Sequence, residues 1–288
     1  MIDFEDRVAL VTGGGRGLGL AYAALLAERG ARVVVHDVGA GRDGTGRDPA
    51  VAEAAAERLR AQGADARAAS GPIDGRDGCR ALVETALGAY GRLDILVHNA
   101  GWVGYRRIEA LEPDFLARMT ALGLEAPLWL AQAAWPAMTA RGYGRILLTT
   151  SCRALYPEYA QAGLAAYAAA KMATVGIVHV LSHEGAPHGI RVNAIAPVAK
   201  TRMWGVEGEP DELRADAVAP GAAFLVSEAC RASGWVLRAA NGQFHAVRAR
   251  EAEDVDYPRD LRAVSADTPE AVAAAWDRIA PAVAEARG

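Results

Sequence analysis

Ser151, Tyr167 and Lys171 are the residues of this chain best suited to moving a proton. Ser151 ends Ile146-Leu147-Leu148-Thr149-Thr150, a short apolar, β-branched run of strand character. A loop with Pro157 and Gly163 as breakers follows, and then an alanine-rich stretch, 165–181, of strong helix propensity. Tyr167 and Lys171 are four residues apart, so a helix sets phenol and ammonium one turn apart on one face. A cation beside a phenol favours the phenolate and turns a weak base into a usable one near neutral pH. The chain has eight tyrosines and two lysines, so about 0.06 such spacings arise by chance. A surface helix with a stray lysine is the plain alternative, but it leaves the preceding serine-ended strand unexplained. Arginine would serve less well, because a compact ammonium can both tune a phenol and bind a sugar hydroxyl.

A second group of candidates lies near the N-terminus. Val8-Ala9-Leu10-Val11-Thr12 reads as a buried strand, Gly13-Gly14-Gly15-Arg16-Gly17-Leu18-Gly19 as a turn, and 17–29 as a helix stopped by Gly30. A second buried strand, 32–37, ends on Asp37, so the four pieces make a βαβ unit. Backbone amides at such a helix start accept a pyrophosphate, which the helix dipole also favours. The spacing is not GxGxxG but Thr12-Gly13-x-x-x-Gly17-x-Gly19. Asp37 lies 18 residues beyond Gly19, where an acid reads the ribose hydroxyls and repels a 2′-phosphate. NAD rather than NADP is therefore expected; Arg16 argues the other way, but can swing into solvent.

The elements that must position these residues follow in order. Residues 38–49 read as a glycine- and charge-rich insertion, 49–62 as a helix, 64–70 as a weak strand with Asp74 beyond it, and 76–90 as a helix capped by Gly91. A strand over 93–97 leads to His98-Asn99-Ala100-Gly101, a long helix covers 113–141, and a strand covers 145–150. The last core strand, 190–196, is expected to break at Pro197, ahead of Thr201. Residues 203–220 read as an irregular loop over a site, and short strands flank an Asn241-Gly242 turn. Thr268-Pro269-Glu270 opens a helix expected to reach about residue 287. Strands that alternate with helices and carry continuous apolar runs indicate a parallel sheet covered on both faces.

Bulk properties narrow the function class. The 288 residues are 52% apolar, enough for a sizeable core, and the net charge of −4 is mixed along the chain. Neither a nucleic-acid footprint nor a polyanion site is expected. Cys79, Cys152 and Cys230 are scattered, which suits a reducing compartment and neither a disulfide framework nor a metal site. The acidic N-terminus has no apolar signal region, and no run is judged long enough for a membrane span, so a cytoplasmic protein is expected.

Taken together, these motifs resemble those of the short-chain dehydrogenases/reductases over roughly residues 7–201. The resemblance rests on Thr12-Gly13-x-x-x-Gly17-x-Gly19, Asn99-Ala100-Gly101, Ser151, Tyr167-x-x-x-Lys171 and Pro197-x-x-x-Thr201. The insertion after Asp37 and the tail from Gly234 further resemble the (3R)-hydroxyacyl-CoA dehydrogenase unit of peroxisomal-type multifunctional enzymes. The resemblance implies an α/β, Rossmann-type doubly wound parallel sheet in a single domain, 1–288. Residues 1–201 would form the nucleotide-binding and catalytic core, and 202–288 the substrate loop and C-terminal extension. It implies that Tyr167 is the acid/base, that Ser151 holds the reacting oxygen, and that Lys171 grips the nicotinamide ribose and depresses Tyr167. Gly13, Arg16, Gly17, Leu18, Gly19, Asp37, Asn99, Ala100, Gly101 and Pro197 would hold NAD, with Asp74 at the adenine and Thr201 at the nicotinamide end. The family pairs the 113–141 and 165–181 helices between subunits, so a homodimer or homotetramer is expected.

The chain departs from that pattern in three places. His98 replaces the first asparagine of the Asn-Asn-Ala-Gly turn. The 151–167 segment is a few residues longer, with Gly163-Leu164-Ala165 the insertion. Gly123 stands where the family has a catalytic asparagine that holds a relay water. Glycine there is expected to leave room for water, so Gly123→Asn is expected to keep or raise the oxidative rate; the competing reading is that substrate or the inserted loop before Tyr167 fills the space. Two function classes stay open. One is an NAD-dependent oxidoreductase acting on a (3R)-hydroxyacyl-CoA, or on a steroid or secondary-metabolite carbonyl. The other is a redox-silent relative working as isomerase, cyclase or binding protein.

Overall fold

Apolar runs without alternation are satisfied only between two helical layers, and that is where they lie. The computed structural model describes residues 1–206, 208, 210–251 and 253–280. Eight strands form one sheet: β1 (Val8–Thr12), β2 (Arg32–His36), β3 (Ala66–Ala69), β4 (Ile95–His98), β5 (Gly144–Thr149), β6 (Ile190–Val198), β7 (Val236–Ala240) and β8 (Gln243–Val247). Their order is β3-β2-β1-β4-β5-β6-β7-β8, parallel throughout except for the β7–β8 hairpin. The chain's direction of travel reverses between β1 and β4, which opens a crevice at their C-terminal ends.

Helices cover both faces. On one side α1 (Gly17–Glu28), α2 (Ala50–Ala61) and α8 (Ala219–Val226) pack through Tyr22, Leu26, Leu59 and Leu225. On the other, α3 (Arg76–Tyr90), α5 (Ala126–Arg141) and α7 (Ala165–Gly185) pack through Leu82, Leu130, Met138 and Val178. The buried Asp94 accepts from Val8 N at 2.9 Å and from Arg92 Nε at 2.8 Å. It sits just before the central strand β4, which starts at Ile95 rather than 93.

Several expectations need correction. The helix over 113–141 is in fact α4 (Pro113–Thr120), a π turn (Ala121–Glu125) and α5, with Ala126 N–H bonding Ala121 O across the wider turn. β6 runs through Pro197 to Val198 because β7 pairs along its outer edge, Pro197 opposite Ala239. The helix α8 begins where the irregular stretch 203–220 ends and was not anticipated. The sheet-bearing unit runs from Met1 to Val247, and the described residues from Arg248 onwards group as a second unit. In that unit Thr268 Oγ caps α9 (Pro269–Ala274) by accepting from Ala271 N, and α10 (Trp276–Ile279) follows. The remainder of the expected last helix, 281–287, lies outside the described residues. The Asn241-Gly242 turn is as read, with φ of 51° and 75°. Finally, Ala165–His188 is long and apolar enough to cross a membrane by length and composition, against the expectation of no such run. Two of its polar side chains bond within the fold: Lys171 Nζ donates to Thr149 O and Thr174 Oγ to Gly123 O.

Candidate active site

The ends of five strands, β1, β2, β4, β5 and β6, and the helices α1 and α7 build the site. β5 ends at Thr149, and Ser151 immediately caps α6 (Cys152–Leu155), its Oγ accepting from Arg153 N at 3.2 Å. That bond uses a lone pair, so the hydroxyl proton stays free to be donated. α7 brings Tyr167 alongside Ser151, whose hydroxyl is near enough to favour the ionised phenol. Thr150, one residue earlier, is committed elsewhere: its Oγ donates to Lys171 O at 2.6 Å and pins α7 to the sheet.

The electrostatics differ from the expectation in one respect. Burial pushes the Tyr167 phenol above its ordinary 10, and this outweighs the Ser151 hydrogen bond and the Arg153 charge, which pull it down. The Lys171 ammonium is itself engaged with the sheet, its Nζ donating to Thr149 O at 2.9 Å. Burial also pulls Lys171 down from 10.5 to about 8.

The nucleotide half lies at the switch point. Thr12 Oγ, at the end of β1, accepts from Asn99 N and Ala100 N at 3.2 Å each, and Asn99 Nδ2 donates to Gly13 O. These bonds lock the two turns together. Gly19 does not line the cavity; it sits under the turn, where a Cβ would lie 2.0 Å from Gly13 O. The Asp37 carboxylate accepts from Gly15 N at 3.1 Å and Gly39 N at 2.8 Å, which aims it into the crevice. Arg16 does not swing into solvent: its Nη2 donates to Ala40 O, as does that of Arg202. Asp74 stays largely exposed, 3.8 Å from Arg47 Nη2.

One cavity of about 770 Å³ joins the two halves. Gly13, Arg16, Gly17, Leu18, Asp37, Asp74, Asn99, Ala100, Gly101, Ser151, Tyr167, Lys171, Pro197 and Thr201 all line it. A crevice with a glycine turn at a helix start, an acid at the next strand end and Lys171 at the far side fits a dinucleotide. Sequence reasoning missed its apolar wall, formed by Trp102, Val103, Leu122, Met203 and Trp204. Trp102, directly after Gly101, was the available signal. The insertion loop reaches this wall: the Arg118 guanidinium lies 4.8 Å from the Trp102 ring and donates to Asp43 O. The longer 151–167 segment is ordered by Arg106 N–H bonding Gly163 O and by Leu164, buried with Trp102, Phe115 and Tyr167.

The space beside Gly123 is filled, not open to water. A Cβ there would lie 2.6 Å from Ala170 Cβ, so α7 packs directly on the π turn. The expected room for a relay water is occupied by backbone and by Ala170.

Comparison with known proteins places this geometry. The sequence pattern of the family described as short chain dehydrogenase matches residues 7–212. A short-chain type dehydrogenase/reductase of Mycobacterium tuberculosis is 37% identical over 199 residues, 69% of this chain and 68% of that protein. Peroxisomal multifunctional enzyme type 2 of Drosophila melanogaster is 34% identical over 255 residues, 86% of this chain and 42% of that enzyme. The chain spans less than half the length of the multifunctional relatives it matches. Among solved structures, a short chain dehydrogenase from Mycobacterium avium superposes with a TM-score of 0.81 at 30% identity, covering 97% of this chain and 98% of that one.

Proposed function

Because the chain belongs to the short-chain dehydrogenase family, we propose that it interconverts a secondary alcohol and a ketone using NAD, with a (3R)-hydroxyacyl-CoA as substrate. The observation that carries the reading is Ser151, Tyr167 and Lys171 meeting in one cavity with the Thr12–Asn99 turn. Asp37, anchored by two amides with its carboxylate on the cavity wall, supports NAD over NADP. Likeness over 255 residues to the Drosophila multifunctional enzyme, together with the insertion loop and the apolar wall, supports the acyl-CoA substrate. A homodimer or homotetramer is part of the same reading.

NAD held along the Gly13/Gly17 turn and by Asp37 would supply the hydride acceptor and donor. The protein's own work is with the proton. Ser151 donates to the substrate oxygen, a bond that strengthens as charge builds there. Tyr167 gives its proton to that oxygen in reduction and removes it in oxidation. With the phenol held above 10, reduction starts from the form present at neutral pH, whereas oxidation needs the phenolate and gains with rising pH. Lys171 is placed to leave Thr149 O for the ribose hydroxyls and carry its charge towards Tyr167.

The test follows NADH absorbance with acyl-CoA, steroid and simple alcohol substrates. Turnover with 3-hydroxyacyl-CoA of R configuration, exceeding that of the S form, is expected. Tight NADH binding without turnover across the panel would favour the redox-silent alternative.

A further inference from the structure

We propose that His98 is a positioning residue. Its two ring nitrogens tie the cofactor turn at Thr12 to the π turn behind α7, and so keep Tyr167 and Lys171 in register with the nucleotide.

The bonds assign the ring's state. His98 Nε2 lies 3.0 Å from Leu122 O, inside the π turn, and a carbonyl can only accept, so Nε2 carries the hydrogen. His98 Nδ1 lies 2.9 Å from Thr12 Oγ. That hydroxyl already accepts from Asn99 N and Ala100 N, so its one proton goes to Nδ1. Each atom of the bridge is thus used to its capacity, and only the neutral Nε2–H tautomer fits. Burial agrees, holding the ring well below its ordinary 6.5, at about 4.

The bridge continues on the other side of the π turn. Gly123 follows Leu122 and meets Ala170 with no room for a Cβ, while its carbonyl receives Thr174 Oγ at 3.4 Å. Ala170 immediately precedes Lys171. A shift of the Leu122 carbonyl therefore moves the backbone against which this helix is seated. One imidazole spans the gap because its nitrogens point to opposite sides. No amide can do so: Asn places an acceptor near the Nδ1 position, and Gln places a donor near the Nε2 position.

This difference supplies the test, which rests on the proposed reading in taking Tyr167 and Lys171 as the reacting pair. His98→Asn keeps the Thr12 side only, so NADH affinity should stay within about twofold while kcat falls about tenfold. His98→Gln keeps the Leu122 side only, so kcat should stay within about threefold while NADH binds about tenfold more weakly. His98→Leu should lose both, with melting curves used to confirm that each variant is folded. Equal losses in Asn and Gln variants, or none, would overturn the proposal. In ¹⁵N-histidine spectra of the wild-type protein, His98 should show a single Nε2–H tautomer from about pH 5.5 to 8. An Nδ1–H signal or a titration in that range would also overturn it. NADH binding and the spectra need no turnover, so an inactive wild type would count against the proposed reaction alone.

Discussion

Burial lowers the Lys171 ammonium from 10.5 to about 8, so at neutral pH the fold holds a charge that its surroundings disfavour. Between about 8 and 10.5 the unfolded chain binds the proton that the folded one has shed, so the stability deficit is full below 8 and fades as pH rises towards 10.5. Lys171→Met in the ligand-free protein should therefore gain about 1–2 kcal/mol at pH 7, after allowing for the lost bond to Thr149 O. Melting scans at pH 7 and at about pH 10 check this: the gain should be several degrees at the lower pH and shrink at the higher, with turnover lost at both. Tyr167→Phe removes a proton donor but little shape, so turnover should vanish while NADH affinity holds. Ser151→Ala should cost about 10²–10³ in kcat, the scale of a lost oxyanion donor. Initial rates and a fluorescence titration of NADH separate the two effects. For the wild type, the oxidative rate should climb from neutral to alkaline pH, because the phenolate fraction of a raised tyrosine grows in that direction.

At the level of the element, the π turn is the feature that redirects the mechanism. Glycine within a helix costs about 1 kcal/mol relative to alanine, which was reason enough to ask what Gly123 is for. Its answer is close packing: α7 approaches until Ala170 Cβ fills the space a side chain would need. Gly123→Asn is accordingly expected to overpack this contact at a cost of about 1–3 kcal/mol and to lower kcat by displacing α7. A melting temperature and kcat both at wild-type values would restore the water-relay reading. The same element shows where sequence periodicity stops. Residues 113–141 carry an unbroken helical pattern, and nothing in it marks the extra residue that widens the turn at Ala121–Glu125. Its carbonyls at Leu122 and Gly123 are met by His98 and Thr174 from two other elements, and such partners have no signature in local sequence.

For the molecule as a whole, the outstanding surface is apolar and helical. Leu116 on α4, Leu128 on α5, and Met172 and Val180 on α7 are exposed. A homodimer or homotetramer covering these helices is expected, and light scattering at micromolar concentration that returned a monomer would reject it. The order of the core elements, the parallel sheet, the glycine turn, Asp37 and the Ser151–Tyr167–Lys171 set were all determined by the sequence itself. Each depends on short-range chemistry: buried strands read as continuous apolar runs, helix starts need amides and a cap, and a four-residue spacing shares a face. Tertiary structure alone decided what those residues touch. It raised the Tyr167 phenol instead of lowering it, because burial depends on every element packed around the ring, and it set Lys171 Nζ on Thr149 O. It held Arg16 on Ala40 O, carried the sheet on to Val247, and closed the space beside Gly123. Each of these is a contact between segments far apart in the chain, and desolvation and packing are properties of that assembled neighbourhood rather than of any window along the sequence.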